Sequence, residues 1–363
     1  MLKVGAFFGG DSSEHDISVI TALEAIAAMP SAGVKCIPVY MRDGKWYTGG
    51  KLVNVKSYMP FEAEKHEEVF LKGGVLYKIK RSGRAKAWEK LDCALILAHG
   101  GSGEDGGLQG LMEINRLPYT SSGVCASAVC MDKFIAKNFL AEAGFPVLEG
   151  VKITREYDEK ALENAEKIGY PLFVKPNSQG SSIGAGIARD RRELEEKLAL
   201  AHEFDEFALV ERCVTEAEEY NVGVFRCGKD LLVSEPERPV RASEFLTFDD
   251  KYMLRGGGMS GSEREFPAKV GEKTRTELKR IAGEAYEAVG ADGVVRVDFI
   301  SDRGKIYLNE INTVPGSLAH YLFPEYGYTE LLSLLIENAL RKGVKSEKIY
   351  FTDVLNRGKG KGG

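Results

Sequence analysis

The chain has 363 residues, more than one ordinary hydrophobic core accommodates, so two or three domains are expected. Its composition, 44% hydrophobic and 28% charged, is that of a globular protein, and a net charge of -5 leaves no basic footprint for nucleic acid or an anionic membrane surface. Six cysteines form no CxxC pair; with no charged-then-apolar leader and no apolar run of about 18 residues, a reduced, cytoplasmic protein without membrane insertion is expected.

In chain order, Lys3 to Phe8 reads as a strand, Gly9-Gly10 as a turn, 14–29 as a helix and 34–40 as a second strand. That βαβ opening predicts a parallel sheet. Residues 44–90 carry turn signals with strands between them. Ala94 to Ala98 is an apolar strand that runs into the glycine-rich segment 99–107, and a helix begins near Leu108. A helix over 131–143 follows, then strand 148–153, helix 158–168, strand 171–175, loop 176–184, strand 185–188, helix 191–202 and strand 207–212. Beyond Glu219 come further strands, a polar loop over 243–264, a helix over 271–290, a hairpin over 294–312 and a last helix over 328–341. The division expected is 1–122, 123–212 and 213–363, with a low-complexity, disordered tail at 358–363.

The hairpin VVRVDFISDRGKIYLNEIN is the most informative stretch. A three-residue Asp302-Arg303-Gly304 loop predicts Asp298 opposite Leu308 and Arg296 opposite Glu310. Alternation then puts Arg296, Asp298, Glu310 and Asn312 on one side. Three oxygen ligands close together suit a hard cation that keeps waters and binds phosphates, namely Mg2+. The loop PNSQGSSIG follows the strand PLFVK, and its glycines and serines suit anionic oxygens, with Lys175 at the strand end to neutralise a phosphate. Leu209-Val210-Glu211 ends an apolar strand where backbone groups could read an adenine edge, and Glu219 could accept from ribose hydroxyls. A phosphate grip and a cation site on separate blocks imply a nucleotide clamped between domains.

These pieces resemble the D-alanine–D-alanine ligases of the ATP-grasp superfamily over nearly the whole chain. The matching segments are GGDSSEHDIS (9–18), HGGSGEDGGLQG (99–110), MDK (131–133), VKPNSQGSSIG (174–184), EEYNV (218–222), DDKY (249–252), VRVDF (295–299) and NEINTVPGS (309–317). The resemblance implies an α/β, in part α+β, three-domain ATP-grasp fold with an N-terminal parallel-sheet domain. It implies an enzyme that phosphorylates the carboxylate of one D-alanine with ATP and lets the amine of a second attack the acyl phosphate, for peptidoglycan precursor synthesis.

By the same resemblance, Glu14 binds the first substrate's ammonium, and Lys133 and Lys175 hold ATP phosphates. Glu211 and Glu219 contact adenine and ribose, and Ser181 and Ser182 sit near the transferred phosphoryl group and Tyr252. Lys251 approaches the phosphates when its loop closes. Arg296 and the backbone N–H near Gly316 stabilise negative charge at the reacting centre. Asp298, Glu310 and Asn312 hold two Mg2+ ions, with Mn2+ an alternative, and His99 lies close to the substrates. A homodimer is implied too. An acyl phosphate must be kept from water, so a closing lid is expected, with 243–264 the candidate.

Three departures mark this chain. Position 179 is Gln where many relatives carry Glu, the 243–264 loop is unusually long and glycine-rich, and Tyr321 stands where many relatives place a serine near the second substrate's carboxylate. They leave open a ligase with a different second substrate, such as D-serine, and, from another class, a nucleotide-binding scaffold without turnover.

Overall fold

β1 (Lys3–Gly9, KVGAFFG) is buried from Val4 onward, as a strand covered on both faces must be. The computed structural model, which describes residues 1–239 and 264–344, places it between β2 (Lys35–Arg42) and β7 (Cys93–Ile96), parallel to both. α1 (His15–Ala28) makes the crossover. The sheet then continues antiparallel through β3 (Lys45–Thr48), β4 (Glu67–Lys72), β5 (Val75–Ile79) and β6 (Ala85–Lys90), in the order β6-β5-β4-β3-β2-β1-β7. The expected parallel sheet is therefore confined to three strands of a mixed seven-stranded one. The reason is local: Asp43 and Gly44 both take left-handed φ, 51° and 69°, and such a tight turn can only reverse the chain into a hairpin.

After α2 (Gly107–Ile114), the helix expected over 131–143 is present as α4 (Lys133–Glu142), and a further helix that was not expected, α3 (Val124–Met131), comes just before it. Asp132 separates them in an extended conformation, and its carboxylate accepts the Ile135 N–H at 2.8 Å as an N-cap.

A second sheet is wholly antiparallel in the order β10-β9-β11-β8, from β8 (Gly150–Thr154), β9 (Leu172–Pro176), β10 (Gly186–Ala188) and β11 (Phe207–Arg212). α5 (Glu159–Glu166) and α6 (Arg191–Ala201), each N-capped by an aspartate, share its core of Ile153, Leu162, Val174, Leu194, Leu198 and Val210.

The third sheet, β13-β12-β16-β17, is built from β12 (Glu218–Cys227), β13 (Asp230–Val233), β16 (Val294–Asp302) and β17 (Lys305–Asn312). α7 (Glu272–Ala288) packs Leu278, Ile281 and Tyr286 into one core with Val222, Val297 and Phe299 of that sheet. α8 (Tyr328–Lys342) and Phe225 join the core of the first sheet instead, which ties the first and third sheets together. β14 (Arg238–Pro239) and β15 (Arg264–Glu265) form a short ladder beside β12. No helix among the described residues is long and apolar enough to cross a membrane.

The β16–β17 hairpin differs from expectation in its register. Asp302 pairs with Lys305, so the loop is two residues, with Arg303 and Gly304 at φ 51° and 83°. An irregularity after Asp298 then leaves Asn309 as the extra residue, so Asp298 faces Glu310 and Arg296 faces Asn312. Beyond the bulge the pairing is offset by two residues from the expected one. That even offset keeps Arg296, Asp298, Glu310 and Asn312 on their expected common face, whereas on the loop side of the bulge the offset is one, and Leu308, expected opposite Asp298, faces Phe299 and is buried.

Candidate functional site

Two cavities, of about 170 and 140 Å³, share Lys133, Gln179, Gly180, Ser181, Asp298 and Glu310 in their walls; the first also takes Glu14, Ile17, His99 and Glu104 from the segments beside the first sheet, and the second is walled by the second and third sheets. The first is lined by Glu14, His99, Arg296, Asn312, Gly316 and Tyr321. Lys175, Ser182 and Glu211 line the second, and Glu219 lines both. Residues far apart in sequence thus converge on two adjoining cavities. Lys251, Tyr252 and nearly all of the 243–264 loop lie outside the described residues, as does the 358–363 tail.

Arg296 binds Asp298 in a two-pronged ion pair, Nε to Oδ1 and Nη2 to Oδ2 at 2.7 Å each. Asn312 Nδ2 donates to Asp298 Oδ2 at 3.0 Å. Burial alone would lower the Arg296 pKa, but the Asp298 charge holds it well above the ordinary value. Two carboxylates opposed across a ladder, with an amide one pleat further on, form a hard oxygen donor set of the size Mg2+ uses alongside substrate phosphates. The residues present fit that cation. Among the described residues no cluster of three or more His, Cys, Asp or Glu offers a second, all-protein metal cage. The bulge has its own consequence, since Asn309 Oδ1 accepts from Lys175 Nζ at 3.3 Å and so links the second and third sheets.

The serine-glycine loop closes against Ser13 and Glu14 at the start of α1. Ser181 and Ser182 both hold left-handed φ, 55° and 57°, a conformation that costs energy and that curls backbone N–H groups into an anion-binding concavity. The Ser181 hydroxyl donates to the Glu14 carboxylate. A Cβ at position 180 would collide with that same carboxylate, so a side chain there would push the Glu14 carboxylate aside. Lys133 Nζ, whose pKa burial lowers, donates to the Gln179 carbonyl. The Gln179 amide uses both ends: it accepts from Ser13 Oγ at 3.2 Å and donates to the Phe204 carbonyl at 3.2 Å. A carboxylate could not make the second bond.

Glu211 is 2% exposed and touches two ammonium groups, Lys137 at 2.8 Å and Lys175 at 2.6 Å. Burial pushes its carboxyl up, yet the two lysines outweigh that and bring it down to about 2. Lys137, which the sequence reading did not single out, is buried and has its own pKa lowered chiefly by desolvation. Its signal was the MDKFIAK spacing, which sets it one helical turn after Lys133 on the inward face of α4.

His99 is 3% exposed, and both of its ring nitrogens are engaged, Nδ1 with the Val314 carbonyl at 2.7 Å and Nε2 with Thr21 Oγ1 at 2.9 Å. A carbonyl can only accept, so the neutral ring donates from Nδ1 to Val314 and its Nε2 accepts the proton of Thr21 Oγ1, which also accepts the Ser317 N–H. Burial lowers the His99 pKa, in keeping with that neutral form. Glu104, within the GSGEDGG run, accepts the Gly100 and Val314 N–H groups at 3.1 and 3.2 Å. Burial and the nearby Glu14 push it up to about 7. His99 and Glu104 therefore hold the Thr313–Gly316 segment from both sides. Tyr321 lies under the Arg264 guanidinium, 4.0 Å from its ring centroid.

Two antiparallel sheets closing on a cavity, with lysines on one and opposed carboxylates on the other, define an ATP-grasp architecture. Profiles described as D-ala D-ala ligase N-terminus and D-ala D-ala ligase C-terminus match residues 3–122 and 136–336. A D-alanine–D-alanine ligase of Thermosipho melanesiensis is 35% identical, with 97% of each chain covered. One of Bacillus cytotoxicus is 34% identical over 97% of this chain and 99% of its own. Among solved structures, the D-alanine–D-alanine ligase of Helicobacter pylori superimposes with TM-score 0.76 at 27% identity, covering 93% of this chain and 98% of that one. The VanG D-Ala:D-Ser ligase of Enterococcus faecalis gives 0.79 at 27%, covering 93% and 99%. The chain belongs to the D-alanine–D-alanine ligase family.

Proposed function

We propose that this protein joins two D-alanines with ATP, through an acyl phosphate, to give D-alanyl-D-alanine, ADP and phosphate. The observation that carries the reading is the junction of the two cavities. A space walled by Lys175, Glu211 and the serine-glycine loop shares Lys133, Ser181, Asp298 and Glu310 with one walled by Glu14, Arg296 and Gly316. A phosphate donor and a carboxylate acceptor placed in them would meet at Lys133, Ser181, Asp298 and Glu310.

In this reading ATP occupies the second cavity, with Glu211 and Glu219 at adenine and ribose and Lys133, Lys175 and Ser182 at its phosphates. Glu14 binds the first substrate's ammonium by a charge-assisted bond, and Ser181 fixes the Glu14 carboxylate. Asp298, Glu310 and Asn312 would hold Mg2+, which when bound neutralises charge on the phosphoryl group in transfer. Arg296, with its Asp298 partner, and the backbone at Gly316 face the reacting carbonyl and stabilise the oxyanion as the second amine attacks. His99 keeps that backbone in place, and Tyr321 shapes the second subsite. Lys251 and Tyr252 would act from the loop above. The three-part division at 122 and 212, a homodimer and a cytoplasmic location belong to the same reading.

D-alanine-joining names among relatives at 34–35% identity favour D-alanine at both subsites. The test is a panel of D- and L-amino acids with ATP and Mg2+, read by mass and by phosphate release. D-alanine alone should give the dipeptide and stoichiometric phosphate. Phosphate release without any peptide product would contradict the proposal.

A further inference from the structure

We infer that Arg264 receives the carboxylate of the second amino acid and makes the acceptor subsite selective for a free acid; the inference deepens the ligase reading above and rests on it. Among the described residues, three cationic side chains line the first cavity: Lys133, Arg264 and Arg296. Lys133 stands at the junction with the nucleotide cavity and donates to the Gln179 carbonyl. Arg296 is engaged by Asp298 through two 2.7 Å bonds and faces the reacting carbonyl. Arg264 lies on β15, at the Tyr321 wall.

Its guanidinium is fixed from two directions. Its Cζ lies over the Tyr321 ring, 4.0 Å from the centroid, and Nε lies 3.3 Å from Glu237 Oε1. Glu237 is itself buried, accepts from Asn221 Nδ2 at 3.1 Å, and is held by a backbone bridge to the same residue on β12. The Arg264 side chain is only 18% exposed. A guanidinium held this way loses little further freedom when it binds, and its flat fork matches a carboxylate.

The acceptor's own chemistry sets its direction. Its amine must approach the acyl carbon beside Arg296 and Gly316, so its carboxylate must point away from that centre. The departure at position 321 fits, because a phenol replaces the small hydroxyl found in many relatives and Arg264 stacks on that ring. Arg264 and the Tyr321 hydroxyl together would replace the serine's grip with a cationic one.

The test is an internal competition. D-alanine and ATP are supplied with an equal concentration of D-alaninamide, which has no free carboxylate and can serve only as acceptor. Mass spectrometry reads the ratio of D-alanyl-D-alanine to D-alanyl-D-alaninamide. Both products draw on the same acyl phosphate, so the ratio is independent of the folded fraction and of donor activation. The parent enzyme should favour the acid. Arg264→Gln should lower the ratio roughly 10- to 100-fold, the scale of one charged hydrogen bond. Arg264→Met, which keeps apolar contact with the ring, serves equally should the Gln variant fail to fold. A parent-like ratio in either charge-free variant would overturn the inference. Absence of both products from the parent enzyme would instead count against the ligase reading itself.

Discussion

Replacing Lys137 by Met probes the buried charge group behind the nucleotide cavity. Methionine keeps most of the lysine's length and apolar volume, so the substitution removes a charge with little change of packing. Glu211 would lose its 2.8 Å partner and keep only Lys175, at 2.6 Å. Breaking a buried pair by removing one partner costs about 3–5 kcal/mol. Lys175 preserves part of the compensation, so a loss of about 3 kcal/mol is expected, at the lower end of that range. Glu211 should then hold Lys175 more firmly and oppose its use at a phosphate. Urea unfolding at neutral pH gives the first quantity, and KM for ATP against KM for D-alanine gives the second. The expected result is a lower unfolding midpoint together with a raised KM for ATP alone. Stability within about 0.5 kcal/mol of the parent, the scale of a neutral surface change, and an unchanged KM for ATP would refute the reasoning.

Other expectations follow from the same geometry. Asp298→Asn or Glu310→Gln should abolish ligation and leave the circular dichroism spectrum unchanged; near-parent turnover at millimolar Mg2+ would remove the cation from these residues. Glu14→Gln should raise KM for the first D-alanine by the equivalent of about 1.5–3 kcal/mol with little effect on ATP, and an unchanged value would reduce Glu14 to a partner of the serine-glycine loop. Tyr321→Phe should weaken binding of the second substrate while acyl phosphate formation continues, and equal KM values for parent and variant would place Tyr321 outside the subsite. Glu211 has a folded pKa of about 2 against an ordinary 4.5, so its stabilisation is complete above pH 4.5 and is lost as pH falls towards 2. The span is about 3 kcal/mol. Glu211→Gln should therefore flatten the fall in stability between about pH 5 and about pH 3; an unaltered slope would mean that other carboxylates set it.

The hairpin shows how far the sequence could be read. Strand alternation alone brought Arg296, Asp298, Glu310 and Asn312 to one face, because a face depends only on parity. Register depends on turn geometry and bulges, and Asp302-Arg303-Gly304 is compatible with either a two- or a three-residue loop. The structure places the extra residue at Asn309, where it meets Lys175, and a contact across 134 residues has no local signal. Asp132 was a different case, for MDK carries the N-cap that starts the expected helix, while α3 immediately before it went unread. Lys137, Glu104, Glu237 and Arg264 stayed hidden because spacing reports neighbours along one element, whereas their burial and partners come from other sheets.

The central claim is that a D-alanine carboxylate is phosphorylated before the peptide bond forms, and oxygen-18 tests it most directly. D-alanine labelled in its carboxylate is incubated with unlabelled ATP and Mg2+, and the released phosphate is analysed by mass. Attack of the carboxylate on the γ-phosphorus carries one carboxylate oxygen into the acyl bridge, and expulsion by the second amine leaves that oxygen on phosphorus. The account predicts one labelled oxygen in each phosphate formed with dipeptide. Dipeptide accompanied by wholly unlabelled phosphate would contradict it.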